Sequence, residues 1–119
     1  MLVYDQAHRL AGELKQSEEY QQLLQARERV ERVESARAML LDFQQQQKDL
    51  QEALMRGETI PPERQEQMQK LMEIVAANPT VMEYRTAELR LLRLMGDLEK
   101  IIWDAAQEAL LINPNQINE

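Results

Sequence analysis

From Glu18 to Arg56 the chain contains neither Gly nor Pro, and this uninterrupted stretch constrains the fold more than any other feature. Gly and Pro are the residues that end helices and open turns. The whole sequence of 119 residues holds only three Gly (Gly12, Gly57, Gly96) and four Pro (Pro61, Pro62, Pro79, Pro114). Leu, Gln, Glu, Ala, Arg and Met dominate it, and these side chains lose little rotamer freedom in a helix. A sheet protein needs more β-branched residues and more turn punctuation. The fold class is therefore all-α, and the length suits one domain spanning residues 1–119.

Apolar periodicity divides the chain into four expected helices. The first covers about 4–15, with Ala7, Leu10, Ala11 and Leu14 on one face. Gly12 either weakens it or marks a close helix crossing. Ser17 then reads as an N-cap followed by Glu18 and Glu19, which suit the positive end of a helix dipole. One long helix is expected over 18–56, its stripe carried by Tyr20, Leu23, Leu24, Val30, Val33, Ala36, Leu40, Phe43, Leu50 and Leu54. The four glutamines Gln44–Gln47 interrupt that stripe and are the place to look for a kink, and Gly57 stands where a C′ residue would end the helix.

Pro62 is placed as the first residue of a third helix over about 62–77, with Met68, Leu71, Met72 and Val75 on one face. At the next boundary either Asn78 caps the following helix, with Pro79 first, or Thr80 caps it with Glu83 three residues on. The last helix, about 79–111, has the clearest pattern. Tyr84, Leu91, Leu98 and Ala105 fall seven apart, as do Ala87, Leu94 and Ile101, while Met95, Ile102 and Ala109 widen the stripe to bundle width. Trp103, the only Trp, lies on this helix in either a core or an interface position. The tail at 113–119, following Asn113-Pro114, is expected to fray.

Self-association is the main physical inference. A helix over 18–56 would run roughly 58 Å at 1.5 Å per residue. A compact domain of this length has a radius of gyration of only about 13 to 14 Å. Folded against the last helix it makes a slender hairpin, with two shorter helices, whose apolar stripes two helices cannot cover. A second copy can, so an oligomeric bundle is expected, either a dimer or a tetramer. The residues expected in helix packing or self-association are Tyr20, Leu23, Leu24, Val30, Val33, Leu40, Phe43, Tyr84, Leu91, Leu94, Leu98, Ile101, Ile102 and Trp103.

Most chemistry finds no support in the residues. There is no Cys, hence no disulfide, thiolate ligand or cysteine nucleophile. His8 is the only histidine, nothing places it beside Ser35, and Ser17 has a capping role. No Gly-rich phosphate loop, dinucleotide fingerprint or zinc helix occurs, and no Glu precedes His8 by three residues as a di-iron bundle requires. No catalytic, cofactor-binding or metal residue is assigned. The net charge of −7 disfavours nucleic acid and anionic membrane. Arg27, Arg29, Arg32 and Arg37 form the densest basic cluster, but Glu28, Glu31 and Glu34 interleave with them, and Glu28 and Arg32 are spaced as an i, i+4 pair. The start lacks signal-peptide character and no run of roughly 18 apolar residues occurs, so the cytoplasm is the expected compartment. Seven methionines, among them Met39, Met55, Met68, Met72, Met82 and Met95, suit either an irregular core or an adaptable partner groove.

Several strings, taken in order, resemble the YheA/YmcA/YlbF family of small bacterial helical proteins, and the YheA branch most. They are Ser17-Glu18-Glu19-Tyr20 opening a long helix, Phe43 with the glutamines after it, and Gly57 before a short acidic helix. Asn78-Pro79 follows, then Tyr84 with Ala87-Glu88 and a Leu-rich run ending in Ile101-Ile102. The resemblance implies a helical, self-associating cytoplasmic protein. It also implies kinship with adaptors whose complex influences competence, sporulation and biofilm formation through RNA processing by an endoribonuclease. Members of that complex carry iron–sulfur clusters held by cysteines. This chain has no Cys, so that cofactor is not expected here.

The resulting expectation is a non-catalytic oligomeric protein acting as a protein-interaction or regulatory adaptor, bound to itself and to another cytoplasmic protein. The alternatives are an RNA-associated accessory factor using the Arg27–Arg37 face and a holdase-like chaperone using the methionines. Leu94→Asp or Leu98→Asp puts a carboxylate into the apolar stripe and should break folding or assembly. A lower melting temperature or a changed solution mass is the expected readout, and neither changing would contradict the stripe.

Overall fold

The computed structural model describes residues 2–110, and these form five α-helices and no strand. They are α1 (Leu2–Gln16), α2 (Glu18–Arg32), α3 (Glu34–Met55), α4 (Pro62–Ala76) and α5 (Pro79–Leu110). The last position expected in the final helix, Leu111, and the tail at 113–119 lie outside the described residues.

The helix expected over 18–56 is two helices, and the break falls at Val33 rather than in the glutamine run. Val33 is extended (φ −113°, ψ 102°) and serves as both C-cap of α2 and N-cap of α3, without a side-chain cap. Gln44–Gln47 continue the helix undisturbed. No local residue demands the break, although a β-branched Val tolerates extended backbone well. Its cause is packing. Turning at Val33 lets Ala36, Leu40 and Phe43 of α3 bury against Val30, Val75 and Val81, with Met39, Leu71, Met82 and Tyr84 packed around them. Tertiary burial overrides the strong local helix propensity.

The other boundaries follow from capping chemistry. Ser17 (φ −66°, ψ 152°) accepts the Tyr20 N–H at 3.2 Å and starts α2. Gly57 has φ +75°, which a residue with a Cβ rarely adopts. Its N–H donates to the Leu54 carbonyl and that of Glu58 to the Ala53 carbonyl, the paired bonds of a Schellman motif closing α3. Pro62 is the first residue of α4. Asn78, not Thr80, caps α5, its Oδ1 accepting the Val81 N–H at 3.1 Å.

Two regions organise the chain. The α2 and α5 helices run antiparallel, in close approach where Ala26 and Ala87 are buried. At the Pro79 end of α5, α3 and α4 close over Phe43 and Val81, and the Arg85 guanidinium stacks 4.3 Å from the Phe43 ring centre. Every buried side chain among the described residues is apolar. The molecule is elongated, with a radius of gyration of 19.9 Å and extents of 61 × 40 × 21 Å.

Because Phe43 is almost wholly buried at the centre of this cluster, Phe43→Ala should cost about 3–5 kcal/mol of unfolding free energy. Urea denaturation with an unchanged slope would read that loss. A change under about 1 kcal/mol would move the core elsewhere.

Candidate interaction surfaces

Helix α5 is 32 residues long, about 48 Å, whereas α2 is 15 residues, about 22 Å. Arg29 of α2 pairs with Glu83, and the Arg90 Nη1 donates to the Gln22 side-chain oxygen at 3.3 Å. Glu18 and Glu19, at the start of α2, border the groove that reaches Leu94 and Asp97. Beyond that level α5 projects past α2 as a tip of about a dozen residues. Ile101, Ile102 and Trp103 on this tip are 68%, 59% and 57% exposed.

Helix α1 is a second projecting arm. It has no buried residue and touches only α2. Val3 and Tyr4 are 77% and 62% exposed. Val3, Ala7, Leu10 and Leu14 are spaced four, three and four apart, so they share one helix face. That face is apolar along its length, with Val3, Ala7 and Leu10 exposed and Leu14 half-buried next to α2.

A third apolar feature lies between α3 and α4. Leu50, Leu54, Ile60, Met68 and Met72, with Gln65 and Gln69, line an open groove of about 320 Å³. Two of the methionines noted in the sequence therefore line a groove, while Met39 and Met82 pack against the core.

The expected packing residues divide by position. Val30, Leu40 and Phe43 are buried. Tyr20, Leu23, Tyr84, Leu91, Leu94 and Leu98 are half-buried along the α2–α5 seam and its extension. Leu24 and Val33 are exposed, Val33 at the helix break. Ile101, Ile102 and Trp103 lie on the projecting tip, so Trp103 is not in the core of this chain. Val3 and Tyr4 of α1 and the α3–α4 groove were not singled out by sequence reasoning. The four-three-four spacing from Val3 to Leu14 was the available signal for α1, whereas the groove depends on how two helices meet and leaves no such trace.

Several of the charged groups are paired. Arg27 pairs with Glu31 at 3.0 Å, and this hydrogen bond, with the carboxylate charge, raises its pKa further. Arg29 is held by Glu83. Two of the four arginines of the basic cluster, Arg27 and Arg29, thus have carboxylate partners, and the i, i+4 ion pair formed on this turn is Arg27–Glu31. Burial pushes the Tyr84 phenol up, and the nearby Glu88 adds to that shift. His8 on α1 and Ser35 on α3 sit on helices that do not touch. Among the described residues no three His, Asp or Glu side chains are placed to hold a metal ion, and no helix is long and apolar enough to cross a membrane.

A five-helix chain with an antiparallel α2–α5 spine and two projecting arms is a class of helical protein with known relatives. Residues 3–106 match the family described as control of competence regulator ComK, YlbF/YmcA, and the chain belongs to that family. It is 34% identical over 113 residues to a UPF0342 protein of Halothermothrix orenii, covering 95% of this chain and 96% of that one. It is 35% identical to the UPF0342 protein STH1710 of Symbiobacterium thermophilum, covering 87% and 92%. Among solved structures, a protein of unknown function (DUF964) from Bacillus stearothermophilus is similar, with a TM-score of 0.82, 29% identity and coverage of 91% and 95%. One chain of the crystal structure of Bacillus subtilis RicA in complex with RicF shares the fold, with a TM-score of 0.62 at 21% identity, covering 92% and 96%.

Proposed function

We propose that this chain is a non-catalytic cytoplasmic adaptor that associates with copies of itself and presents helical surface to a protein partner. The observation that carries this reading is the pair of uncovered apolar arms, α1 and the α5 tip, on a chain whose buried core is confined to the other end of α5. Apolar surface of this extent, concentrated on projecting elements, marks interaction sites on soluble proteins. Membership of a family tied to control of a competence regulator supports a regulatory role. A fold shared with a chain of the RicA–RicF complex supports a helical partner surface.

The alternatives have less behind them. An RNA-binding face would need free, clustered cations, yet Arg27 and Arg29 are paired with Glu31 and Glu83. A holdase reading draws on the α3–α4 groove with Met68 and Met72, and that groove serves a single adapted partner equally well.

The test combines affinity purification of the tagged protein from its own cells with light scattering of the purified chain. The expected result is a multimer that retains a protein able to rebind it in purified form. A monomer retaining no protein would overturn the reading, as would salt-sensitive RNA binding without any protein partner.

A further inference from the structure

We propose that α1 of one copy packs on the α5 tip of a second copy, and reciprocally, so that two chains exchange their first helices. This deepens the self-association reading and rests on it.

Seven residues back along α2, from Arg29 to Gln22, correspond to seven forward along α5, from Glu83 to Arg90. Continued past Ser17, the same antiparallel register sets Leu14 level with Leu98 and Ala7 level with Ala105. Leu10 and Val3 then meet Ile102 and Ala109. The α1 seam has spacings of four, three and four, and its partners on α5 have the same spacings in the opposite sense. Each position on one face finds an apolar partner on the other. Lys15 also comes level with Asp97, placing opposite charges beside the seam. The two helices are patterned to pack together.

Within one chain they do not. Ser17 is extended, and its hydroxyl donates to the Leu14 carbonyl at 2.6 Å while accepting the Tyr20 N–H. The Gln21 side-chain amide also donates to the Lys15 carbonyl, at 2.6 Å. These bonds fix α1 at an angle to α2, away from its own α5. The matching face must then come from another molecule. A second copy supplies a helix of the right length, 15 residues against a tip of about a dozen, and a twofold axis closes both contacts at once. On these two faces Val3 is 77% exposed and Ile102 59% exposed, so apolar side chains on both remain to be covered.

The absence of Cys makes a direct test available. The full-length variants Ala7→Cys and Ala105→Cys, both at exposed positions, are mixed and oxidised, and the double variant is oxidised separately. Exchange predicts a disulfide-linked dimer from the mixture, formed roughly tenfold faster than from either single variant, because docking raises the effective thiol concentration. In the double variant it predicts a covalent dimer. An internal disulfide in a monomeric double variant would overturn the exchange, since α1 would then close on its own α5. A multimer of the unmodified chain by light scattering, with neither disulfide, would overturn the exchange but leave self-association standing. A monomer would remove both.

Discussion

The antiparallel pairing of α2 with α5 is the interaction on which the rest of the molecule depends. Ala26 and Ala87 let the two helices approach, and Arg29 with Glu83 and Gln22 with Arg90 set their register. These exposed polar contacts are worth little energy individually. Their value lies in fixing which residues face each other. At one end of the pair, the turn at Val33 sends α3 back to form the core with α4. At the other end, α2 stops at Ser17 while α5 continues. The molecule is therefore closed at one end and open at the other.

That asymmetry explains the distribution of apolar surface. The buried core cluster draws on α2, α3, α4 and the first turn of α5, and none of it comes from α1 or the α5 tip. Two helical segments are thus held as helices with few tertiary contacts in the chain, although isolated helices of this length are marginal in water. Their amphipathic faces have the width expected of buried surface rather than of a coil exposed to solvent. A partner covering them would supply the tertiary packing that the single chain lacks, and association and helix stability would then be one equilibrium.

Much of this architecture was legible in the residues. Ser17, Gly57, Pro62 and Asn78 each mark a boundary through local hydrogen bonding or a backbone preference, and each lies where capping rules put it. Within the seven-residue repeat of α5, Ala87 is buried and Leu91 and Leu94 are half-buried, whereas Ile101 and Ala105 are exposed on the tip. The break at Val33 was not legible, because no Gly, Pro or cap residue marks it and its cause is burial of Ala36 and Phe43 far along the chain. The glutamines, which look like a weak point, sit on a solvent-facing part of α3 where the helix has no reason to bend. Of the expected packing residues, Ile101, Ile102 and Trp103 lie exposed on the tip. Sequence periodicity does not say whether a stripe is covered by its own chain or by another.

If association stabilises α1 and the α5 tip, their backbone amides respond to protein concentration. Hydrogen exchange followed by mass spectrometry on the unmodified protein, at low and high concentration, tests it most directly. The account predicts that amides over residues 3–14 and 98–109 exchange fast in dilute solution and become protected as concentration rises, while the α3–α4 core is protected throughout. Rapid exchange of both arms at every concentration would contradict it.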